Sequence, residues 1–223
     1  ESGYPFAEIG NRDVVLDKDA PTGTYFLTGD TGPEGVFGPI TMLGFRPFDE
    51  RHADVIARFT PGQPYNTALV DDFRRALIAT QQFGGVTVAT VDTGERDAQG
   101  RAVAGINVIG NRGPQRQLIG QIGYSTGEGF RAEALWRHRS LVQPEGMFTT
   151  RAVLGTQEQR AAAQLVFGNW RQRDRTLDVG FDVAHLNRPA YKATQVAVGA
   201  HVKRDSTPIW QKRWTWGAGF DLI

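Results

Sequence analysis

Residues 176–187 read Thr-Leu-Asp-Val-Gly-Phe-Asp-Val-Ala-His-Leu-Asn, and their period of two sets the fold class of the second half of the chain. Successive side chains of a strand point to opposite sides. Leu177, Val179, Phe181 and Val183 therefore share one face, and Asp178, Gly180, Asp182 and Ala184 the other. The same sense repeats downstream. Over 191–203, Val196, Val198, Ala200 and Val202 oppose Gln195, Ala197, Gly199 and His201; over 209–222, Trp214, Trp216, Ala218, Phe220 and Leu222 oppose Thr215, Gly217, Gly219 and Asp221. One face is apolar, and the other is small, polar or charged.

Working outward, no convincing helix follows Pro114. Extended segments at 117–126, 130–141, 147–156 and 161–170 precede the three above, separated by turn signals such as Ser125-Thr-Gly-Glu-Gly and Gln143-Pro-Glu-Gly. Residues 157–163 have helical propensity. This alternation suits either the wall of a membrane barrel or a soluble β-sandwich. Trp136, Trp170 and Trp210 fall near the expected strand ends and favour the barrel, whose interfacial girdles collect aromatics.

Before Pro114 the pattern is mixed. Residues 4–16 and 24–31 read as two strands about a turn-rich stretch, and two strands alone make a marginal unit. Residues 36–43 form a short strand closed by Gly44. Asp49 is placed to cap a short helix over 49–58, and Asn66 or Thr67 caps a second to about residue 82. Leu69, Val70, Phe73, Leu77 and Ile78 give the second helix one apolar face. Gly84-Gly85 ends it. Strands follow at 86–91 and 101–109, the latter with Ala104, Ile106 and Val108 on one side. The order over 36–109 is strand, helix, helix, strand, strand.

Composition sets outer limits. The 223 residues are 40% hydrophobic and 22% charged, so a core can form, and the net charge of +1 creates no field for nucleic acid. The chain has no cysteine, which excludes disulfides, thiolate zinc sites and cysteine catalysis. No signal-peptide pattern and no run of about 18 apolar residues occurs, but barrel strands need only about 9–11 residues of alternation. The opening Glu1-Ser-Gly-Tyr-Pro reads as the middle of a longer protein.

Little supports an enzyme. His52, His138, His185 and His201 form no metal-binding spacing, although His185 and His201 can approach across paired strands; they read as ordinary lumen or surface histidines. Asp178 and Asp182 mimic a carboxylate pair, but a solvated lumen favours such residues without catalysis. Ser125 and Ser140 lack a nucleophile-elbow context, and the glycine-rich stretches join no strand to a helix. The basic set Arg112, Arg116, Arg137, Arg139, Arg171, Arg173 and Arg175 fits lipid headgroups or lipopolysaccharide, or else solvated loops and lumen ion pairs with Glu133, Glu158 and Asp174, the latter preferred. No cofactor, metal or nucleic-acid partner is expected.

Several segments carry a family resemblance. Residues 36–109 resemble a POTRA domain in their β-α-α-β-β order, in Phe37-Gly-Pro-Ile-Thr-Met-Leu-Gly44, in Phe59-Thr-Pro-Gly-Gln-Pro-Tyr65, and in the helix ending Leu77-Ile-Ala-Thr-Gln-Gln-Phe83 before Val86-Thr-Val88. Ile122-Gly-Tyr-Ser-Thr-Gly-Glu-Gly-Phe130-Arg, Trp136-Arg-His-Arg-Ser-Leu141 and Asn169-Trp-Arg-Gln-Arg-Asp-Arg175 resemble the opening barrel strands of the TamA-like family of outer-membrane assembly proteins, within the BamA/TamA superfamily (bacterial surface antigen family). The resemblance covers essentially the whole chain. It implies three parts: 1–34, the last two strands of a preceding POTRA repeat; 35–112, an α+β POTRA domain; and 113–223, about seven antiparallel strands of a partial transmembrane β-barrel. Family members carry sixteen barrel strands, so the resemblance also implies a chain truncated at both ends.

The implied function is the insertion of outer-membrane proteins in a Gram-negative envelope, with the POTRA part in the periplasm. The implied partners are outer-membrane client proteins, a TamB-like periplasm-spanning partner, and outer-membrane lipid or lipopolysaccharide. Two binding surfaces follow. One is a POTRA edge strand of Val86, Thr87, Val88, Ala89, Thr90 and Val91, with Val86, Val88 and Val91 toward the helices. The other is the first barrel strand, Gln117, Leu118, Ile119, Gly120, Gln121, Ile122, Gly123 and Tyr124, at a lateral seam where Gly120 and Gly123 weaken pairing. A soluble periplasmic module with an all-β second domain and a passive pore or barrel enzyme are the alternatives.

Overall fold

The computed structural model describes residues 3–16, 23–205 and 214–223. Three sheets follow one another along the chain. β1 (Glu8–Leu16) and β2 (Gly23–Asp30) form an antiparallel hairpin by themselves. The expected turn between them lies outside the described residues.

The second unit is α+β. β3 (Gly35–Gly44) is followed by α1 (Glu50–Ile56), α2 (Thr67–Ala79), β4 (Phe83–Arg96) and β5 (Ala102–Arg112). The sheet order is β3-β5-β4, with β3 and β5 parallel and β4 and β5 antiparallel. Both helices start where their capping residues stand. Asp49 accepts from the His52 N–H at 3.0 Å and Asn66 from the Ala68 N–H at 2.9 Å, each satisfying an otherwise orphaned donor of the first turn. Phe73 and Leu77 of α2 and Ala53 and Ile56 of α1 pack on Met42, Ile106 and Val108 in one closed core. Phe37 stacks on Phe59 at 4.0 Å between ring centroids. At Gly44, with φ of +72°, a Cβ would lie 2.7 Å from the Gly110 carbonyl oxygen, so only glycine can leave β3 there.

One expectation is corrected here and another holds against local propensity. Gly84 and Gly85 lie inside β4 rather than ending α2, which stops at Ala79. A Cβ on Gly84 would lie 2.8 Å from Gly113 Cα, so Gly84 serves a close backbone approach to the connector leaving β5. The strand expected over 161–170 is β9 (Glu158–Phe167), whose start takes in residues 158–163 despite their helical propensity, because neighbouring strands hold it on both sides and the cross-strand ladders override that propensity.

The third unit is a seven-stranded antiparallel meander, in which each strand pairs with its neighbours in sequence. Its strands are β6 (Arg116–Ser125), β7 (Gly129–Val142), β8 (Gly146–Gly155), β9, β10 (Arg175–Arg188), β11 (Tyr191–Arg204) and β12 (Trp216–Leu222). The last strand is shorter than the expected 209–222, and residues 206–213, including Trp210, lie outside the described residues. Trp136 lies mid-strand in β7 and not at a strand end.

Register places the two faces, with one irregularity between His138 and Val142 at the end of the β7–β8 ladder. The pairs Leu118↔Trp136, Ala134↔Ala152, Thr150↔Ala163, Phe181↔Val198 and Ala200↔Phe220 run across one face. The pairs Gln121↔Glu133, Val153↔Arg160, Asp178↔His201 and Gly199↔Asp221 run across the other.

Candidate functional site

β6 pairs with β7 alone, leaving its other side without a strand among the described residues. All ten of its residues are exposed. All eight residues read from the sequence as a lateral seam, Gln117 to Tyr124, lie on this edge. Leu118, Gly120, Ile122 and Tyr124 join the apolar face, while Gln117, Ile119, Gln121 and Gly123 join the polar one. Despite its glycines, β6 keeps an unbroken ladder to β7 from Arg116↔His138 to Ser125↔Gly129. The open backbone groups on its far side are a template for another strand.

A second edge is β4, which carries Val86, Thr87, Val88, Ala89, Thr90 and Val91 and pairs only with β5. One orientation is corrected. Val86 and Val88 pack on the core, and Thr90 follows them, with its hydroxyl 3.0 Å from that of Tyr65. Val91 lies on the opposite face, near Gly105, because its odd position reverses its side under a period of two.

The polar face of the large sheet carries a ladder of paired charges. Arg151 meets Glu133 at 2.7 Å, Arg131 meets Glu158 at 2.9 Å, and Arg160 meets Glu158 at 2.8 Å and Asp182 at 3.4 Å. Asp178 accepts from Gln164 at 2.7 Å. The two aspartates are thus held by separate partners rather than as a pair. His185 and His201 do not meet. His185 contacts Thr194 at 3.0 Å, whereas His201, on the other face, contacts Asp221 at 3.1 Å. Among the described residues, no group of three or more candidate metal ligands occurs.

The α+β unit and the large sheet meet through a buried polar joint that the sequence did not disclose. His52 Nε2 of α1 lies 2.6 Å from Glu145 Oε1 in the β7–β8 turn, and both side chains are buried. Asn169 donates to the same carboxylate at 3.1 and 3.3 Å. Arg173, in the β9–β10 connection, reaches into the α+β unit. It donates to the Ile56 carbonyl at 2.7 Å and pairs with Asp72 of α2 at 2.6 Å. Arg58 bridges Asp72, at 3.1 Å, and Asp174, at 2.9 Å. Gln82 donates to the Arg139 carbonyl at 2.5 Å.

Asn169, Arg171 and Asp174 adopt positive φ in this connection, a conformation that a short or well-tethered residue can hold. The expected pairing of Arg173 with Asp174 is present at 3.7 Å, but the arginine is buried rather than solvated, and Asp72, its main partner, is 101 residues away. Buried charges of this kind need partners on every side, and here they have them.

No protein-family model and no curated protein matches the sequence. A solved structure described as the crystal structure of BamA from Haemophilus ducreyi lacking POTRA domains 1-3 is similar in fold. Its TM-score is 0.71 at 13% identity, over 90% of this chain and 38% of that one. This chain therefore spans well under half the length of that neighbour. The architecture is mostly antiparallel and corresponds to part of a BamA-like β-barrel.

Proposed function

We propose that this chain is the root of an outer-membrane assembly factor: a POTRA module followed by the opening wall of a transmembrane barrel, whose first strand templates client strands. The observation that carries this reading is β6, an exposed edge with a free backbone ladder, on a sheet with one apolar and one ion-paired face. The BamA-like fold supports it. That likeness covers too much of the chain to lie in the large sheet alone, which supports reading the β-α-α-β-β unit as a POTRA domain.

The chemistry is physical, not covalent. An unpaired backbone group in hydrocarbon costs several kcal/mol, so an entering strand inserts most readily while its hydrogen bonds are supplied by an edge. β6 offers such an edge beside the apolar face. β4 offers a second at the α+β unit, suited to a client segment or to a TamB-like partner that spans the periplasm. Phospholipid or lipopolysaccharide would cover the apolar face.

Photo-crosslinkers placed singly at Ile119, Gln121 and Thr87 test the reading. Newly made outer-membrane proteins should be captured from β6, and client or periplasmic partner from Thr87. If client insertion depends on the protein yet no β6 position ever captures a client, the seam mechanism is wrong.

A further inference from the structure

A cavity of about 660 Å³ opens where the α+β unit gives way to the large sheet. Its walls come from the segment after β3, the β5–β6 connector and the adjoining ends of β6 and β7. Arg46, Arg112, Arg116 and His138 line it together with Phe45 and Ser140, and among the described residues no acidic one does.

These cations are weakly engaged. Arg112 lies over the Phe45 ring at 5.2 Å, and Arg46 reaches Glu50 only at 4.0 Å between exposed side chains. Arg116 makes no ion pair with any described residue. The Ser140 N–H donates to His138 Nδ1 at 3.3 Å, which leaves Nε2 of that ring as an N–H donor. A cavity with several cations and no carboxylate recruits an anion, and guanidinium forks match phosphate oxygens.

Its position selects the source of that phosphate. Arg116 and His138 form the cross-strand pair directly beyond Leu118↔Trp136. The Trp136 ring lies 6.0 Å from the His138 ring and 6.1 Å from Phe148, so apolar face and basic cavity are continuous. Leu118 is 76% exposed. The change from apolar to cationic occurs between Leu118 and Arg116, two residues apart on β6, at the end of the sheet that faces the α+β unit.

We infer that this cavity holds the phosphate of an anionic phospholipid headgroup whose acyl chains run along the apolar face beside β6. The inference rests on the proposed reading that this face is immersed in lipid. A headgroup held there would fix the depth of the seam and lie beside any strand entering at β6.

Native mass spectrometry of the chain in non-ionic detergent tests it, with short-chain phosphatidylglycerol, short-chain phosphatidylcholine and inorganic phosphate as separate probes. Phosphatidylglycerol should be retained in preference to the other two. The double variant Arg112→Gln/Arg116→Gln should bind it roughly thirtyfold more weakly, about one order of magnitude or less per cation removed. Arg171→Gln, which removes one positive charge beside Trp170 outside the cavity, should leave binding unchanged. Unchanged affinity in the double variant, or inorganic phosphate bound as tightly as the lipid, would overturn the headgroup site.

A spin label at Leu118→Cys in bilayers separates the two levels. If the label lies in lipid while the double variant binds normally, only the headgroup site fails; if it lies in water, the reading beneath it fails as well.

Discussion

The α+β unit and the large sheet bury their apolar residues in opposite senses. In the first, Phe73, Leu77, Ile106 and Val108 are fully enclosed, and charge lies outside or at the joint. In the second, Ile122 is 85% and Leu154 69% exposed, while Glu133, Arg151, Glu158 and Arg160 pair on the opposite face. Hydrophobic burial explains the first without further help. The second is stable only if its apolar face meets something other than water, since contiguous exposed apolar surface of this extent marks an interaction surface. One chain thus carries a unit whose apolar residues are enclosed and a sheet whose apolar residues are exposed.

The comparison breaks most readily in the core. Phe73→Ala should cost about 3–5 kcal/mol of α+β stability, read by chemical denaturation, whereas Ile122→Ala, on an exposed position of β6, should change stability in water very little. Equal losses would abolish the contrast.

In bilayers the order reverses. Val198→Arg, in the middle of β11 on the apolar face, should cost about 2–4 kcal/mol of stability in lipid vesicles. Gln195→Arg, on the polar face of the same strand, should be close to neutral. A comparable loss at both positions would mean that the faces see the same medium.

The joint comes next. Asp72→Asn leaves the Arg173 and Arg58 guanidinium groups facing a neutral amide and should cost about 1.5–3 kcal/mol. Spin-label distances between α2 and β10 should broaden in this variant, and unchanged distances would show that the ionic contacts do not hold the two units together.

The smallest effect is at the far end of β4. Arg96 donates to both oxygens of Asp92, at 3.1 and 3.3 Å, and holds its carboxyl below the ordinary 3.8. Because the folded value is depressed, the pair stabilises above the unfolded value and is lost as pH falls through the folded one. Arg96→Gln should bring the Asp92 titration back toward 3.8 by NMR, and an unmoved midpoint would contradict the pairing.

What the sequence disclosed follows the range of the interactions involved. The alternation of 176–187 and the caps Asp49 and Asn66 are local signals, and they locate strands and helices because one residue's neighbours settle its state. Gly84 misled because its role is a close approach to Gly113, distant in sequence. The strand expected over 161–170 forms although 157–163 favour a helix, because propensity is weaker than two hydrogen-bonded ladders. The joint was illegible because His52 and Glu145 are 93 residues apart, and nothing near either one signals the other. The segment Asn169 to Arg175 was noticed for its resemblance, yet its role as a plug into the α+β unit depends on Asp72 and Ile56, which only the folded chain brings close.

The central claim is that the two faces of the large sheet meet different media. The chain contains no cysteine, so single cysteines can be placed cleanly along β10 at Asp178, Val179, Phe181 and Asp182 and spin-labelled in bilayers. Labels at 179 and 181 should collide with a lipid-soluble relaxant, and labels at 178 and 182 with a water-soluble one. A flat profile, with all four positions equally exposed to water, would contradict the account.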